Sequence, residues 1–259
     1  MRLNETAGHS LVPVDPALRI ELLPGGVAVP APLEPAIAAA WAAAQRRAGG
    51  RLFNGRVFSV EQVTPARITG RLVEYRLAVA GFSDPALAKA LAVRPLSVCG
   101  VLHTPDGVVF GRRTTQATYE AGLWQMPPAG SVDAGAVRGD VVDAIAALRG
   151  ELAEELGLPW SHITMCRPFA LVVHAASGVH DLGCLLESPA GFAEIAAAAA
   201  AVGSREYQEL RAVPEAALAG FIAANRAAMV PAAPLFLAAL EQIAAYSGPR
   251  SAPGPFSTS

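Results

Sequence analysis

The feature that most constrains this chain is the stretch from Gly122 to Leu158, GLWQMPPAGSVDAGAVRGDVVDAIAALRGELAEELGL, where a strand and a glycine-containing loop lead into a helix that ends in clustered carboxylates. At about 100° per residue, Glu154 lies near about −60° and Glu155 near about +40° from Glu151, so the three acids share one face. Val141, Ile145, Leu148, Leu152 and Leu156 fall between about +60° and +140° by the same geometry, so one edge packs while the adjoining edge presents acid. The expected helix therefore includes Val141 and stops at Gly157. Three carboxylates placed this closely repel one another, and a hard, oxygen-seeking cation such as Mg²⁺ or Mn²⁺ relieves the repulsion. The spacing alone leaves a second reading open, because glutamate is a good helix former and a solvated acidic edge needs no metal.

The context is more specific. The chain reads E-L-A-E-E-L-G-L from Glu151 to Leu158, and upstream it reads SVCGVLHTPDGVVFGRRTTQATYEAGLWQMPPAG. Together these resemble the Nudix hydrolases, whose box asks for a glycine loop followed by a helix reading R-E-L-x-E-E-x-G-L. The resemblance covers about residues 95 to 246. It implies an α/β fold, a Nudix-type α/β/α sandwich in which a mixed sheet lies between helices, with a smaller α+β N-terminal extension. It also implies attack of water on a diphosphate assisted by Mg²⁺ or Mn²⁺. Glu151 and Glu155 are then the expected direct ligands, and Glu154 a ligand or base. Arg112 and Arg113, at the end of a strand beside the loop, are expected to grip phosphate, although two solvated charges would look the same. Trp124 and Gln125 are expected to border a base or sugar, with a core role for Trp124 as the alternative. Ala129 and Gly130 let backbone approach the phosphates. A further carboxylate after the second hairpin is expected from Glu206 or Glu209, between which the sequence does not choose.

Two departures bear on that reading. Gly150 stands where the family has an arginine, and Arg149 by helix geometry points about 160° from the first acid, away from the cluster. The run from Gly130 to Glu151 is longer than the family's by about two helical turns, an insertion placed in AGAVRGD. The family's early glutamate is also missing, with Ala136 or Asp140 near its place.

With 259 residues, 53% of them hydrophobic and 16% charged, the chain can bury a substantial core and is long for one domain. A formal charge of −2 with no dense Lys/Arg run gives no electrostatic footprint for nucleic acid. A small-molecule nucleoside diphosphate derivative is the expected partner, with no nucleic acid and no membrane, and a homodimer is an allowed assembly. Cys99, Cys166 and Cys184 are widely spaced in apolar surroundings and read as reduced core thiols. The first residues show no signal peptide, and the most apolar runs are too short to cross a bilayer, so a cytoplasmic location is expected.

The expected organisation is an N-terminal α+β extension over 1–93, a catalytic domain over 94–246 and a disordered tail over 247–259. Residues 1–31 read as irregular entry with one strand, Glu34 to Arg47 as a helix with proline near its start, Asp84 to Ala92 as a short helix with Asp84 as its cap, and Phe192 to Val202 as a helix. Arg51 to Val63 and Ala66 to Ala80 read as an antiparallel strand pair. Leu52 to Gly55, LFNG, resembles a segment in the extension of Nudix enzymes that cleave UDP-glucose and UDP-galactose; its plainer reading is an Asn-Gly turn. That likeness implies cleavage of a nucleoside diphosphate sugar to a nucleoside monophosphate and a sugar 1-phosphate. The alternative is a module that binds a nucleotide or metabolite without hydrolysing it. His174 and His180 flank a hairpin turn and read as incidental.

Overall fold

A computed structural model describes residues 5–6, 8–117 and 119–247. Strands β1 (Glu5–Thr6), β2 (His9–Pro13) and β3 (Arg19–Leu22) precede helix α1 (Glu34–Arg47). The hairpin β4 (Arg56–Val63) and β5 (Arg67–Glu74) leads to α2 (Tyr75–Ser83) and α3 (Pro85–Leu91). Then follow β6 (Leu96–Thr104), β7 (Gly107–Arg113), β8 (Trp124–Gln125), β9 (Ala129–Ser131), β10 (Val137–Arg138), β11 (Val141–Val142) and α4 (Ala144–Leu156). The chain continues through β12 (Met165–His174), β13 (His180–Glu187), α5 (Phe192–Val202), β14 (Tyr207–Val213), α6 (Glu215–Asn225) and α7 (Ala232–Ser247). The described residues thus form a mixed α/β fold with seven α-helices and two mixed sheets.

The larger sheet runs β1-β2-β12-β13-β6-β7-β14, with β8 on β7 and β9 on β6, and only the β13–β6 pair is parallel. The period of two in β6 sends Leu96, Val98 and Leu102 to one apolar cluster and Val101 to another. The first cluster is closed by α4 and α5, the second by α6 and α7, so helices cover both faces. Phe236 of α7 packs edge-on against Phe169 of β12. The smaller sheet, β10-β11-β3-β5-β4, shares the first cluster through Ile20, Phe58 and Ile68.

Helix α4 sits where it does for local reasons. Asp143 caps it by accepting from the Ala146 N–H at 2.9 Å. Leu148, Leu152 and Leu156 are fully buried, each contributing ~1.5–3 kcal/mol of apolar burial. Gly157 ends it at φ 63, and a Cβ there would strike the Ala198 carbonyl oxygen at 2.5 Å, so α5 can lie close against the turn.

Several expectations change. Val141 is an exposed residue of β11 and not part of α4, because Asp143 starts the helix later. The insertion 134–140 does not lengthen a loop; it leads into the β10–β11 hairpin, which pairs with β3 of the smaller sheet. Residues 75–80 form helix and not strand, since Asn54 accepts from the Arg76 N–H at 2.8 Å and fixes the first turn. The N-terminal region has three short strands where one was expected, and β2 pairs with β12 of the larger sheet. Strands therefore cross the expected boundary at Val93 in both directions. Helices Glu34–Arg47 and Phe192–Val202 fall on their expected bounds, and Asp84 caps α3 through the Ala86 N–H at 2.7 Å. Ser247 ends α7, and the rest of the expected tail lies outside the described residues. No helix among the described residues is long and apolar enough to cross a membrane.

Candidate functional site

The site lies where β9 passes between β6 and α4. Register places Ala129 beside Cys99 and Gly130 beside Val98, at the centre of the larger sheet. The Glu151 carboxylate occupies the volume that a Cβ on Gly130 would need. A side chain at this position would therefore push the Glu151 carboxylate aside. The Ala129 N–H donates to Glu155 Oε2 at 3.0 Å, and Glu155 is 3% exposed.

A chain of hydrogen bonds extends from Glu155. The Tyr207 hydroxyl donates to the carboxylate, 3.1 Å from each oxygen, and accepts from Gln125 Nε2 at 3.3 Å. Gln125 Oε1 in turn accepts from Arg113 Nη1 at 2.6 Å, while Arg113 Nε is buried without a partner. Burial pushes the Glu151 carboxyl up to about 7, and the charges of Glu154, Glu206 and Asp133 push the same way while Arg113 opposes them. Burial, and then the charge of Glu151, raises Glu155 well above the ordinary carboxylate range, against the lowering pull of the Ala129 and Tyr207 hydrogen bonds.

These groups open on a cavity of about 790 Å³. Gln125, Ala129, Gly130, Arg113 and Glu206 line it. Residues of the N-terminal region complete it, including Arg51, Leu52, Tyr75 and Phe82. Arg51 reaches Gln116 Oε1 at 3.2 Å. Within LFNG, Leu52 lines the cavity, Phe53 is 83% exposed, and Asn54 holds Glu74 at 2.8 Å as well as the start of α2.

The structure separates the residues singled out from the sequence. Glu151, Glu155, Glu206, Arg113, Gln125, Ala129 and Gly130 come together. Glu154 is exposed, whereas Glu151 meets Gly130 and Glu155 the Ala129 N–H. Arg112 turns outward and donates to the Gly122 carbonyl at 3.2 Å, since alternate residues of β7 face opposite sides. Glu209 pairs with Arg211 at 2.7 Å, beyond a bulge in β14 that separates it from Tyr207, which leaves Glu206 as the nearer carboxylate. Trp124 is 4% exposed and packs with Phe221 in the second core cluster, with the Arg211 guanidinium 5.4 Å from its ring centroid; it is core, not a border of the cavity. Arg149 stacks over Trp160 at 5.1 Å, away from the acids, and a Cβ on Gly150 would meet nothing within 4 Å.

Among the described residues no group of three or more His, Cys, Asp or Glu is placed to hold a metal ion. The donor set still has the chemistry for a hard cation: Glu151 and Glu155 repel each other next to Glu206, and the described residues supply no cation paired to Glu151.

A second set of groups stands at this cavity, in an arrangement the sequence reading did not foresee. His174 Nε2 lies 2.6 Å from Asp181 Oδ2, and its Nδ1 lies 3.3 Å from the Tyr119 hydroxyl. Burial alone would lower His174, but the hydrogen bond and charge of Asp181 outweigh it and leave it raised. Burial, with the charge of Asp181, lifts Glu120 to about 7. Asp181, Glu120 and Tyr207 belong to no motif, and only the adjacency of Tyr207 to Glu206 gave a local hint.

No family model matches the chain, and no curated protein matches it. Among solved structures, DR0079 from Deinococcus radiodurans is similar over 71% of this chain and 98% of its own length, at 19% identity and a TM-score of 0.45. A likeness that slight carries no argument about fold or function.

Proposed function

We propose that this protein is a metal-dependent hydrolase of Nudix type, built on that family's α/β/α sandwich. In this reading it cleaves a nucleoside diphosphate sugar to a nucleoside monophosphate and a sugar 1-phosphate. The observation that carries the reading is the seating of Glu151 against the bare backbone of Gly130, beside the buried Glu155, at the edge of a cavity that Arg113 also lines. Glu151 and Glu155, with Glu206, would hold Mg²⁺ or Mn²⁺, and a bound divalent cation neutralises charge developing on a diphosphate. Tyr207 and the Ala129 N–H orient Glu155, leaving acceptor capacity on Oε1. Burial raises the Glu151 carboxyl to about 7 in the metal-free protein, and a bound cation would draw it back to the ionised form that a ligand needs. Arg113, tied to Gln125, presents its remaining donors towards phosphate oxygens. The sugar-nucleotide part rests on the LFNG resemblance and on the fact that Leu52 lines the cavity.

The test is purified protein with Mg²⁺ or Mn²⁺ against UDP-sugars, ADP-ribose, NADH, dinucleoside polyphosphates, nucleoside triphosphates and coenzyme A, with products read by mass. Selective release of nucleoside monophosphate and sugar 1-phosphate is the expected outcome. Preference for another member removes the substrate assignment and keeps the hydrolase. One specific observation favours a second reading: the acids do not converge as a ligand set. Tight binding of one member without turnover would establish a binding module instead.

A further inference from the structure

Beyond the groups already assigned, the cavity carries a carboxylate that no donor among the described residues engages. Tyr119 is fixed: its hydroxyl lies 3.3 Å from His174 Nδ1 and 3.0 Å from Ser177 Oγ, and its ring packs on Phe82 with centroids 4.7 Å apart. Asp181 is committed through both oxygens, Oδ2 to His174 at 2.6 Å and Oδ1 to the Ser97 hydroxyl. Glu120, next along the chain from Tyr119, differs. It lines the cavity, its surroundings are largely buried, and among the described residues no donor hydrogen-bonds its carboxylate. Its backbone sits at φ 51, a left-handed conformation that a residue with a side chain adopts only when its surroundings hold it there.

A carboxylate left without partners on a cavity wall is a site for a donor-bearing ligand. Ionised, it offers two acceptor oxygens and no donor, so its complement carries two adjacent donors. Arg51, Arg113 and Arg205 line the same cavity and disfavour a cationic complement. Neutral pairs remain, either vicinal hydroxyls or an N–H pair of a base. A base also needs a flat face to stack on, and the rings of Tyr119 and Phe82 lie against each other at 37°. A vicinal diol needs no such face and supplies two adjacent O–H donors.

We propose that Glu120 is a specificity-determining residue that accepts two hydrogen bonds from a vicinal diol on the sugar of the substrate. This rests on the sugar-nucleotide reading above and adds which group of that substrate is read, and by what. Discrimination follows because a ligand without the diol leaves a buried acceptor unpaired.

The experiment compares kcat and KM for UDP-glucose, UDP-3-deoxyglucose and the methyl ester of UDP, with GDP-glucose as a control for the base. Wild type, Glu120→Gln and Glu120→Gly are measured side by side. The glycine variant suits φ 51, so its thermal midpoint should hold or rise, and loss of selectivity in it is not loss of fold. Wild type should prefer UDP-glucose over the deoxy sugar and the ester by at least tenfold, mainly through KM. In both variants that ratio should collapse below threefold. A ratio that stays above tenfold in the variants overturns the proposal, as does a variant effect on UDP against GDP and not on the sugar. Equal hydrolysis of all three by wild type removes this inference but leaves the hydrolase intact, whereas no hydrolysis of any removes both.

Discussion

Two sets of acids stand at one cavity, and they are built in opposite ways. Glu151 and Glu155 come from a single helix, four residues apart, and are held against a nearby strand by one small residue and one backbone N–H. Glu120, Asp181 and His174 come from a loop and from two paired strands; side-chain hydrogen bonds hold His174 and Asp181 to each other and to Tyr119 and Ser97, and Glu120 lies beside them. Both sets contain a carboxyl that burial lifts to about 7, Glu151 in one and Glu120 in the other. In the first set two acids repel each other, a repulsion that the proposed cation would relieve. In the second, Asp181 is already engaged by His174 and Ser97 and one carboxylate is spare, which suits a neutral ligand. The same perturbation of acidity therefore accompanies two different chemistries, and the partners of each group tell them apart.

The largest expected difference between the two sets is in rate. Glu155→Gln keeps the shape of the side chain and one acceptor oxygen but loses the charge, and should lower kcat by about 10²–10⁴-fold. Its thermal midpoint in chelator should not fall, because the substitution removes a buried charge. Full turnover in excess chelator would break the assignment of this set to metal chemistry. Next in size is Gly130→Ala, whose Cβ claims the space of the Glu151 carboxylate. Misplacing that acid should cost about 10²-fold in kcat while circular dichroism stays native. An alanine variant with ordinary kinetics would mean that Glu151 works from another position.

The Glu120 set is sharpened by pH. Glu120 is raised from 4.5 to about 7, first by burial and then by Asp181, so the folded protein keeps a proton there that the unfolded chain has released. Its contribution to stability is complete below pH 4.5 and is lost as pH rises through about 7. Glu120→Gln should flatten the fall in urea midpoint between pH 5 and pH 8 in chelator. An unchanged slope would show that the carboxyl titrates in solvent. The smallest effect is expected at Gly150, where a side chain has room and α4 is continuous. Gly150→Arg should stabilise the helix by about 0.5–1 kcal/mol through propensity and preserve activity. A drop in thermal midpoint would show that glycine is needed at that point of the helix.

What the sequence determined on its own was whatever depends on neighbours along the chain. The three acids on one helical face, the Asp84 cap, helices Glu34–Arg47 and Phe192–Val202, and the outward turn of Arg149 all follow from a fixed rotation per residue or a local hydrogen bond. Tertiary structure decided what each of those groups meets. Glu154 shares a face with Glu151 and Glu155 in projection, yet it is exposed, whereas Gly130 and Ala129 of β9 meet the other two. Arg112 and Arg113 are adjacent in sequence and read alike, and the pleat of β7 sends one out to solvent and the other into the cavity. Trp124 went to the core because the packing of Phe221 against it is set by α6, almost a hundred residues later. The hairpin at 137–142 pairs with a strand near the N-terminus, and Glu120 meets Asp181 only after β6 and β13 have paired in parallel. Such meetings depend on strand pairing and layer packing between distant segments, and no period or spacing along the chain encodes them.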